Sequence, residues 1–333
     1  LSPEWQLYTA AVTSSLSDKF YEGTATQLGK IRHLIPQCDP VFVAQLAAYT
    51  RQKMNLRSIP LVLAVELAKV HRGDSTVSKM ISNIVQRADE ITELLAYYQL
   101  ANERKDTKKL NRLSKQLQAG LQEAFNRFDE YQFAKYNRDA EVKLRDALFL
   151  VHPKAKDENQ QALFNKIVND TLETPYTWET ELSALGQTKF TSDDEKEVAF
   201  RTKWEELIDS GKVGYMALMR NLRNILEAKV SLEHIKKVCE TLSYPDAVRR
   251  SKQLPFRFLA AYREISKVKS AYAGRILDAL EQAVTVSAEG IKGFDVSTSV
   301  LIACDVSGSM QRPVSPKSKI LSYDIGLMLA MLL

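Results

Sequence analysis

The chain has 333 residues, a net charge of +5 and 45% hydrophobic residues. These values exclude a disordered protein, because disorder requires low hydrophobicity together with a high net charge. Only 12 glycines and 10 prolines occur, which disfavours a β-sandwich with many tight turns and favours long helices. Because no apolar run of about 18 residues is present, we expect no transmembrane helix.

The three cysteines, Cys38, Cys239 and Cys304, are far apart in the sequence and form no C-x-x-C pair. This spacing favours neither a disulfide framework nor a zinc cluster. We therefore expect a reducing, cytoplasmic compartment, where free thiols persist.

Helices are predicted one after another from the N-terminal region to about residue 275. Asp39 followed by Pro40 predicts a helix start, since an acidic cap and a first-turn proline both favour one. The residues that we expect on the buried face of this helix are Val41, Phe42, Leu46, Ala47 and Tyr49.

The next helices follow from capping signals and from apolar residues at helical spacing. Ser58 and Pro60 begin one helix, and Gly73-Asp74-Ser75 ends it and begins another, with Val77, Met80, Ile81, Ile84 and Val85 on its apolar face. Further helices are predicted over residues 89–101, 107–128 and 140–151. Segments of this length with short breaks indicate stacked antiparallel pairs, a solenoid of degenerate, HEAT-like repeats.

Charge is distributed unevenly in the second half of the chain. Residues 157–209 carry 13 acidic and 5 basic side chains, and residues 210–275 carry 5 acidic and 14 basic ones. Thr191 or Ser192 is expected to cap a helix that runs through Trp204 to Ile208. Helices are also predicted over Met216–Leu226 and over residues 276–289.

Of two basic clusters, the one interleaved with aromatic residues points to nucleic acid, because cations neutralise phosphates and aromatic rings stack on unpaired bases. One cluster, at helical spacing, is Arg104, Lys105, Lys108, Lys109, Arg112 and Lys115. In the other, Arg249, Arg250, Lys252, Arg257, Arg263, Lys267, Lys269 and Arg275 are interleaved with Phe256, Phe258, Tyr262 and Tyr272. The alternatives are a solvated helix face for the first cluster and core positions for Phe256 and Phe258 in the second.

The pattern changes after residues 290–297, which we interpret as a linker. The apolar run Ser299–Cys304 predicts a buried parallel strand, and residues 317–333 predict a helix. Between them, Asp305, Ser307 and Ser309 supply one carboxylate and two hydroxyls, the oxygen ligands that a divalent cation such as Mg²⁺ prefers. A capped loop without metal is the alternative, and a catalytic Asp305 for phosphoryl transfer is a weaker one.

Several segments in one order make the helical part similar to the TROVE domain, the RNA-binding module of the Ro autoantigen and its bacterial relatives. They are Arg145–Lys154, Thr174–Glu179, Trp204–Ile208, Met216–Ile225 and Ser243–Tyr262. The Asp305-x-Ser307-x-Ser309 loop resembles the metal-ion-dependent adhesion site of von Willebrand factor A domains. In that family the two serines bind the metal and the aspartate orients the shell.

The resemblance implies a mainly α fold, in which HEAT-like helical repeats close toward a ring. It implies a TROVE domain over residues 1–289 and the first strand and helix of an A-like domain over residues 298–333. It also implies two RNA surfaces. Lys135, Arg138 and His152 match the outer site, which binds Y-like RNA, although Arg138 is offset by one residue. For a basic central cavity that binds single-stranded 3′ ends, we expect Arg220, Arg223, Arg249, Arg250 and Arg257.

The function that follows is non-catalytic RNA binding in noncoding-RNA quality control, since the sequence shows no nucleophile and base in a recognisable pattern. The implied partners are misfolded RNA, a Y-like RNA and an exoribonuclease or RNA-repair protein, and the expected state is a cytoplasmic monomer. The alternative is a protein-interaction scaffold that uses a metal at Asp305, Ser307 and Ser309.

Overall fold

The structure, a computed structural model, describes residues 1–13, 25–102, 113–137, 140–291, 294–295, 297–314 and 318–332. Over these residues it contains nineteen α-helices and no β-strand. The chain divides into two compact units, Leu1–Pro175 and Tyr176–Leu333. None of the described helices is both long enough and apolar enough to cross a membrane.

The first unit contains ten helices in its described part, with a short 3₁₀ turn at Ile35–Gln37. They are α1 Pro3–Thr13, α2 Ala25–Leu34, α3 Pro40–Gln52, α4 Ser58–Val70, α5 Thr76–Ile84, α6 Ala88–Ala101, α7 Lys115–Phe125, α8 Glu130–Tyr136, α9 Leu144–Val151 and α10 Glu158–Asn169. Helix α4 lies at the centre: every residue from 59 to 68 is buried, and α3, α5 and α6 pack around it.

The predicted start of α3 is confirmed, and its predicted face is partly wrong. The Asp39 carboxylate accepts the Val41 N–H at 3.0 Å and caps the helix. Leu46 and Ala47 are buried as expected, but Val41 and Tyr49 are 51% and 45% exposed. The buried stripe includes Val43, Leu46, Ala47 and Thr50, at the i, i+3, i+4, i+7 spacing of one helix face, and Val41 falls on the opposite side.

A glycine allows α5 and α7 to approach closely. A Cβ atom at Gly120 on α7 would lie 2.7 Å from the Ser78 carbonyl oxygen and 2.7 Å from Cβ of Ile81, both on α5. The predicted apolar face of α5 is confirmed, since Val77, Met80, Ile81 and Ile84 are buried. Only a residue without a side chain fits between these two helix backbones.

Charged side chains are buried between α3 and α6. The Glu90 carboxylate, fully buried, accepts from Arg51 Nη2 at 2.7 Å and from the Gln86 and Arg87 N–H groups at 2.7 and 3.1 Å. Arg51 is itself only 7% exposed and also donates to the Ile84 carbonyl at 3.2 Å. The carboxylate therefore caps the start of α6 through the two N–H groups and joins it to α3 through Arg51.

A second buried carboxylate, Glu66 on α4, joins three other side chains. It accepts from Tyr97 Oη at 2.6 Å and from Arg32 Nε at 2.9 Å, and its other oxygen lies 3.2 Å from Lys69 Nζ. Burial, and then the negative charge of Glu66, raise the pKa of the Tyr97 hydroxyl well above its usual value. Tyr97 therefore stays protonated and donates to Glu66 throughout the ordinary pH range.

The second unit contains nine helices in its described part. They are α11 Trp178–Gly186, α12 Asp193–Asp209, α13 Tyr215–Arg220, α14 Leu222–Glu227, α15 Leu232–Ser243, α16 Pro245–Ser251, α17 Pro255–Ile265, α18 Ala273–Ala288 and α19 Ser322–Leu332. Helices α15, α16 and α17 pack on α18, and Trp204, Ile225, Phe258 and Leu280 belong to one apolar core.

The predicted start of α12 is confirmed, and the helical structure predicted over Met216–Leu226 forms as two short helices. Ser192 Oγ accepts the Glu195 N–H at 3.1 Å, and the Glu195 carboxylate accepts the Thr191 N–H at 2.7 Å. The other segment divides into α13 and α14 at Asn221, which is only 3% exposed. Its side-chain amide donates to the Ala217 carbonyl at 2.9 Å, a local bond that competes with helix continuation.

The buried strand predicted over Ser299–Cys304 does not form. Residues 299–306 carry no regular secondary structure, and Leu301 is 95% exposed. A parallel strand needs neighbouring strands for its backbone hydrogen bonds, and the described residues contain no strand that could pair with it. The helix predicted over residues 317–333 is observed from Ser322 to Leu332.

Helix α19 is joined to α17 by charged side chains. Arg263 donates to both carboxylate oxygens of Asp324, at 2.7 and 2.8 Å, and Lys319 forms an ion pair with Glu264. Asp324 is only 6% exposed and also accepts the Leu321 N–H at 2.8 Å. The hydrogen bonds from Arg263 hold the pKa of this carboxyl below its usual value, so it is ionised near neutral pH.

Candidate nucleic-acid interface

Lys135 lies in the last turn of α8 and is exposed. Its ammonium is 5.5 Å from the ring centroid of Tyr131 and 5.7 Å from that of Tyr136. The Arg87 guanidinium lies 4.3 Å from the centroid of the Tyr136 ring. Arg87 also donates hydrogen bonds to both carboxylate oxygens of Asp89, at 3.0 and 2.7 Å. An accessible cation thus stands beside aromatic rings, an arrangement suited to a phosphate and a neighbouring base.

His152 ends α9 in the left-handed conformation, with φ of 49° and ψ of 56°. Its side chain is exposed, and its carbonyl accepts from Gln122 Nε2 on α7 at 3.0 Å. Gln122 also donates to the Val151 carbonyl at 3.0 Å, so α7 fixes the backbone that presents the imidazole. Both Lys135 and His152 project from helix ends in the first unit, but no hydrogen bond joins them. Arg138 lies outside the described residues.

Three predicted arginines of the second unit lie on helices that contact one another. Arg220 ends α13, Arg223 lies on α14 and Arg257 lies on α17, and all three are exposed. These helices pack pairwise. Arg223 forms a long ion pair, with its Nε 3.6 Å from the Glu227 carboxylate. The Arg257 guanidinium lies 5.4 Å from the centroid of the Phe256 ring. Their charges are therefore available to a phosphate backbone.

Arg249 and Arg250 on α16 are exposed but have internal partners. Arg249 pairs with Glu289 at 2.7 Å and with Asp246 at 3.3 Å, and the Glu289 hydrogen bond raises the pKa of its guanidinium. Arg250 Nε donates to the Asp246 carbonyl at 3.2 Å. Exposed pairs of this kind are weak, so RNA phosphates would compete with them at small cost.

The aromatic residues of the second basic cluster do not form a stacking surface. Phe258 is fully buried in the core, Phe256 is half-buried, and Tyr262 and Tyr272 pack against the same core. The core alternative for Phe258 is therefore the correct one.

Exposed rings occur elsewhere, and sequence analysis missed them. Tyr131 and Phe149 are 45% and 47% exposed, beside Lys135 and Arg145. The signal that could have found them is the i,i+4 spacing of a ring and a cation, which places both on one face of a helix. Of the first basic cluster, Lys115 alone lies among the described residues.

The Asp305 loop places three oxygen-bearing side chains together. Asp305 Oδ1 accepts the Ser307 N–H at 2.8 Å, and the Ser307 and Ser309 hydroxyl oxygens are 3.1 Å apart. The backbone hydrogen bond from Ser307 lowers the pKa of Asp305, which keeps its carboxylate charged.

These side chains fit one part of a hard cation's shell, since Mg²⁺ takes about six oxygen ligands and often keeps several waters. Nowhere among the described residues do three His, Cys, Asp or Glu side chains converge in a metal-binding arrangement.

Comparison with known proteins agrees with the helical architecture. The TROVE domain model matches residues 9–199 and 170–283. The chain is 25% identical to rat telomerase protein component 1 over 79% of its length, and 27% identical to the mouse protein over 74%. It spans only 13% and 12% of those relatives.

Among solved structures, the chain is similar to the Deinococcus radiodurans RO (RSR) protein. The TM-score is 0.59 at 16% identity, over 87% of this chain and 65% of that one. At this identity the likeness supports a shared fold. Together with the family model, which covers most of the sequence, it leads to one conclusion: the chain belongs to the TROVE domain family.

Proposed function

We propose that the chain is a non-catalytic RNA-binding protein of noncoding-RNA quality control. The observation that carries this proposal is the TROVE match over residues 9–283, joined to accessible cations on both units. RNA provides a dense row of phosphates, and several exposed lysines and arginines provide sequence-independent affinity through counterion release.

The proposal assigns different RNA features to the two units. Lys135 and His152 would bind a structured, Y-like RNA, because their side chains are exposed at helix ends with aromatic rings beside Lys135. Arg220, Arg223 and Arg257, with support from Arg249 and Arg250, would bind the single-stranded 3′ end of a misfolded RNA. Discrimination would rest on strandedness and shape, since these cations contact phosphates and read no base edge.

The architecture and partners belong to the same proposal. We assign HEAT-like repeats to residues 1–289 and the start of an A-like domain to residues 298–333. A chain that binds RNA without cleaving it needs a partner that completes the process, and an exoribonuclease or RNA-repair protein supplies that chemistry. The rat and mouse relatives are both named telomerase protein component 1, and membership of a larger assembly agrees with a chain that needs such a partner. We propose a cytoplasmic monomer.

Binding of three RNAs tests the assignment: a tailed duplex, its blunt counterpart and a Y-like stem with internal loops. We expect the tailed RNA to bind at least tenfold more tightly than the blunt one. Lys135→Ala/His152→Ser should weaken the Y-like RNA alone, and Arg220→Ala/Arg223→Ala the tailed RNA alone. Each arginine removed from a phosphate should reduce the slope of log K against log salt by about 1.

Lys79→Ala serves as the control, because Lys79 is exposed on α5 and belongs to neither set. If none of the three RNAs binds more tightly than about 10⁻⁵ M at physiological salt, the range of non-specific contacts, the RNA proposal is wrong. The alternative, a metal-dependent protein scaffold, would then become the leading hypothesis.

We also propose that Asp305, Ser307 and Ser309 hold a divalent cation, whose charge would help to fix this loop. Calorimetric titration with Mg²⁺ should show binding that Asp305→Asn abolishes, because it removes the negative charge of the carboxylate, and that Ser307→Ala weakens by about tenfold, because it removes one of few oxygen ligands. Asp295→Asn is the matched control, since Asp295 likewise accepts from the N–H of a serine, Ser297, at 2.9 Å. Equal heats for the Asp305 and Asp295 variants would contradict the site.

A further inference from the structure

A cavity in the first unit is lined by cations that the RNA proposal does not use. Its volume is about 600 Å³. It opens between the C-terminal ends of α4 and α6 and the N-terminus of α7, and Lys69, His71, Arg72 and Lys115 contribute to its wall. Of the described residues that line it, none carries a carboxylate.

The charges around this cavity do not cancel. Lys69 lies 3.2 Å from Glu66, but the same carboxylate also pairs with Arg32 at 2.9 Å, so two cations share one anion. His71 Nε2 lies 2.9 Å from Asp74, and that pair adds no net positive charge.

Arg72 and Lys115 are the two remaining cations in the wall of the cavity. Both are exposed, and in the part of the chain that the structure describes neither forms an ion pair. Counted over the described residues, the wall therefore carries an excess of positive charge, which attracts anions.

The backbone strengthens this field. Helix α7 begins at Lys115, with Ser114 as its cap, and the positive end of its dipole lies at the cavity wall. Lys69 is held in position by a second bond, from its Nζ to the Ala101 carbonyl at 3.0 Å. The cations thus come from three separate elements, the end of α4, the α4–α5 loop and the start of α7.

The size and polarity of the cavity define the ligand. Small-molecule sites have volumes of about 300–1,000 Å³, so 600 Å³ holds more than one inorganic ion. Arginine and lysine together suit a phosphate, which accepts a guanidinium fork and a point charge at once. We propose that this cavity binds a phosphate monoester on a nucleoside, either a free nucleotide or the 5′-phosphorylated end of an RNA. The proposal does not depend on the RNA surfaces assigned above.

Calorimetric titration of the full chain with 5′-AMP and with adenosine is the first test. We expect 5′-AMP to bind at least tenfold more tightly, because only it carries the phosphate. Arg72→Glu/Lys115→Glu should lower that affinity at least tenfold, and Arg72→Gln/Lys115→Gln should lower it less. The control Lys53→Glu/Lys79→Glu makes the same change in net charge on exposed lysines away from the cavity, and its affinity should stay within twofold of the unmodified chain.

A second arm identifies the source of the phosphate. The affinity of a single-stranded RNA with a 5′-phosphate is compared with that of its 5′-hydroxyl form. If the phosphorylated RNA binds more tightly, and Arg72→Glu/Lys115→Glu removes the difference, the ligand is the RNA end. Selective binding of 5′-AMP without such an advantage identifies a free nucleotide. Equal affinity for 5′-AMP and adenosine, or equal losses in the cavity and control variants, overturns the proposal. Lys135→Ala/His152→Ser should leave 5′-AMP binding unchanged, because neither residue lines the cavity. Failure of the RNA proposal and failure of the cavity proposal can therefore be told apart.

Discussion

Replacing Arg51 by Met will lower the free energy of unfolding by about 3–5 kcal/mol, the cost of leaving a buried charge without its partner. Arg51 and Glu90 are 7% and 0% exposed, and their side chains meet at 2.7 Å. Methionine preserves much of the arginine stem but offers no donor. Glu90 would keep only its backbone donors and the more distant Arg57 Nε, at 3.6 Å.

Urea unfolding followed by circular dichroism measures this loss. Lys53→Met is the matched control, because Lys53 is exposed at the end of the same helix, and its effect should stay within about 0.5 kcal/mol. Arg51→Met/Glu90→Gln should recover part of the stability, since glutamine leaves no charge buried and still accepts backbone hydrogen bonds. A loss for Arg51→Met no larger than that of Lys53→Met would show that the buried pair does not hold α3 against α6.

Gly120→Ala will destabilise the chain by about 1–3 kcal/mol, the usual cost of overpacking, although alanine is the better helix former. In an open helix the same exchange stabilises by about 1 kcal/mol. At Gly120 the new methyl group would meet the Ser78 carbonyl oxygen at 2.7 Å. Because that atom belongs to the backbone of α5, relief requires the two helices to move apart.

Gly29→Ala is the control for this exchange. Gly29 lies within α2, and an added Cβ atom there meets nothing within 4 Å. Thermal unfolding should therefore shift upward for Gly29→Ala and downward for Gly120→Ala. Shifts of the same sign would contradict the close approach of α5 and α7.

Local signals predicted helix ends better than they predicted which side of a helix is buried. Asp39 and Ser192 each cap a helix as expected, because a capping bond spans only two or three residues of sequence. The faces of α3 were harder to predict, since Val41 and Tyr49 are apolar or aromatic yet lie outside the buried stripe. The Arg51–Glu90 pair joins residues 39 positions apart, and no local pattern identifies such a partner.

Local sequence signals also fail to predict which residues of the candidate sites come together. The exposure of Lys135, His152 and Arg223 follows from their polar side chains, but only the resemblance to the TROVE domain singles them out as site residues. The core position of Phe258 depends on how α17 meets its neighbours, which alternating basic and aromatic residues do not specify. Likewise, Arg72 and Lys115 line one cavity only because three elements distant in sequence meet there.

His152 illustrates a trade-off between folding and recognition. A residue with a side chain loses about 1–2 kcal/mol in the left-handed conformation relative to its ordinary one, and glycine does not. The φ of His152 is 49°. Replacing His152 by glycine would therefore favour folding and, at the same time, remove the imidazole. Loss of RNA affinity in a His152→Gly chain that melts no earlier than the unmodified one would therefore belong to the missing ring and not to a damaged fold.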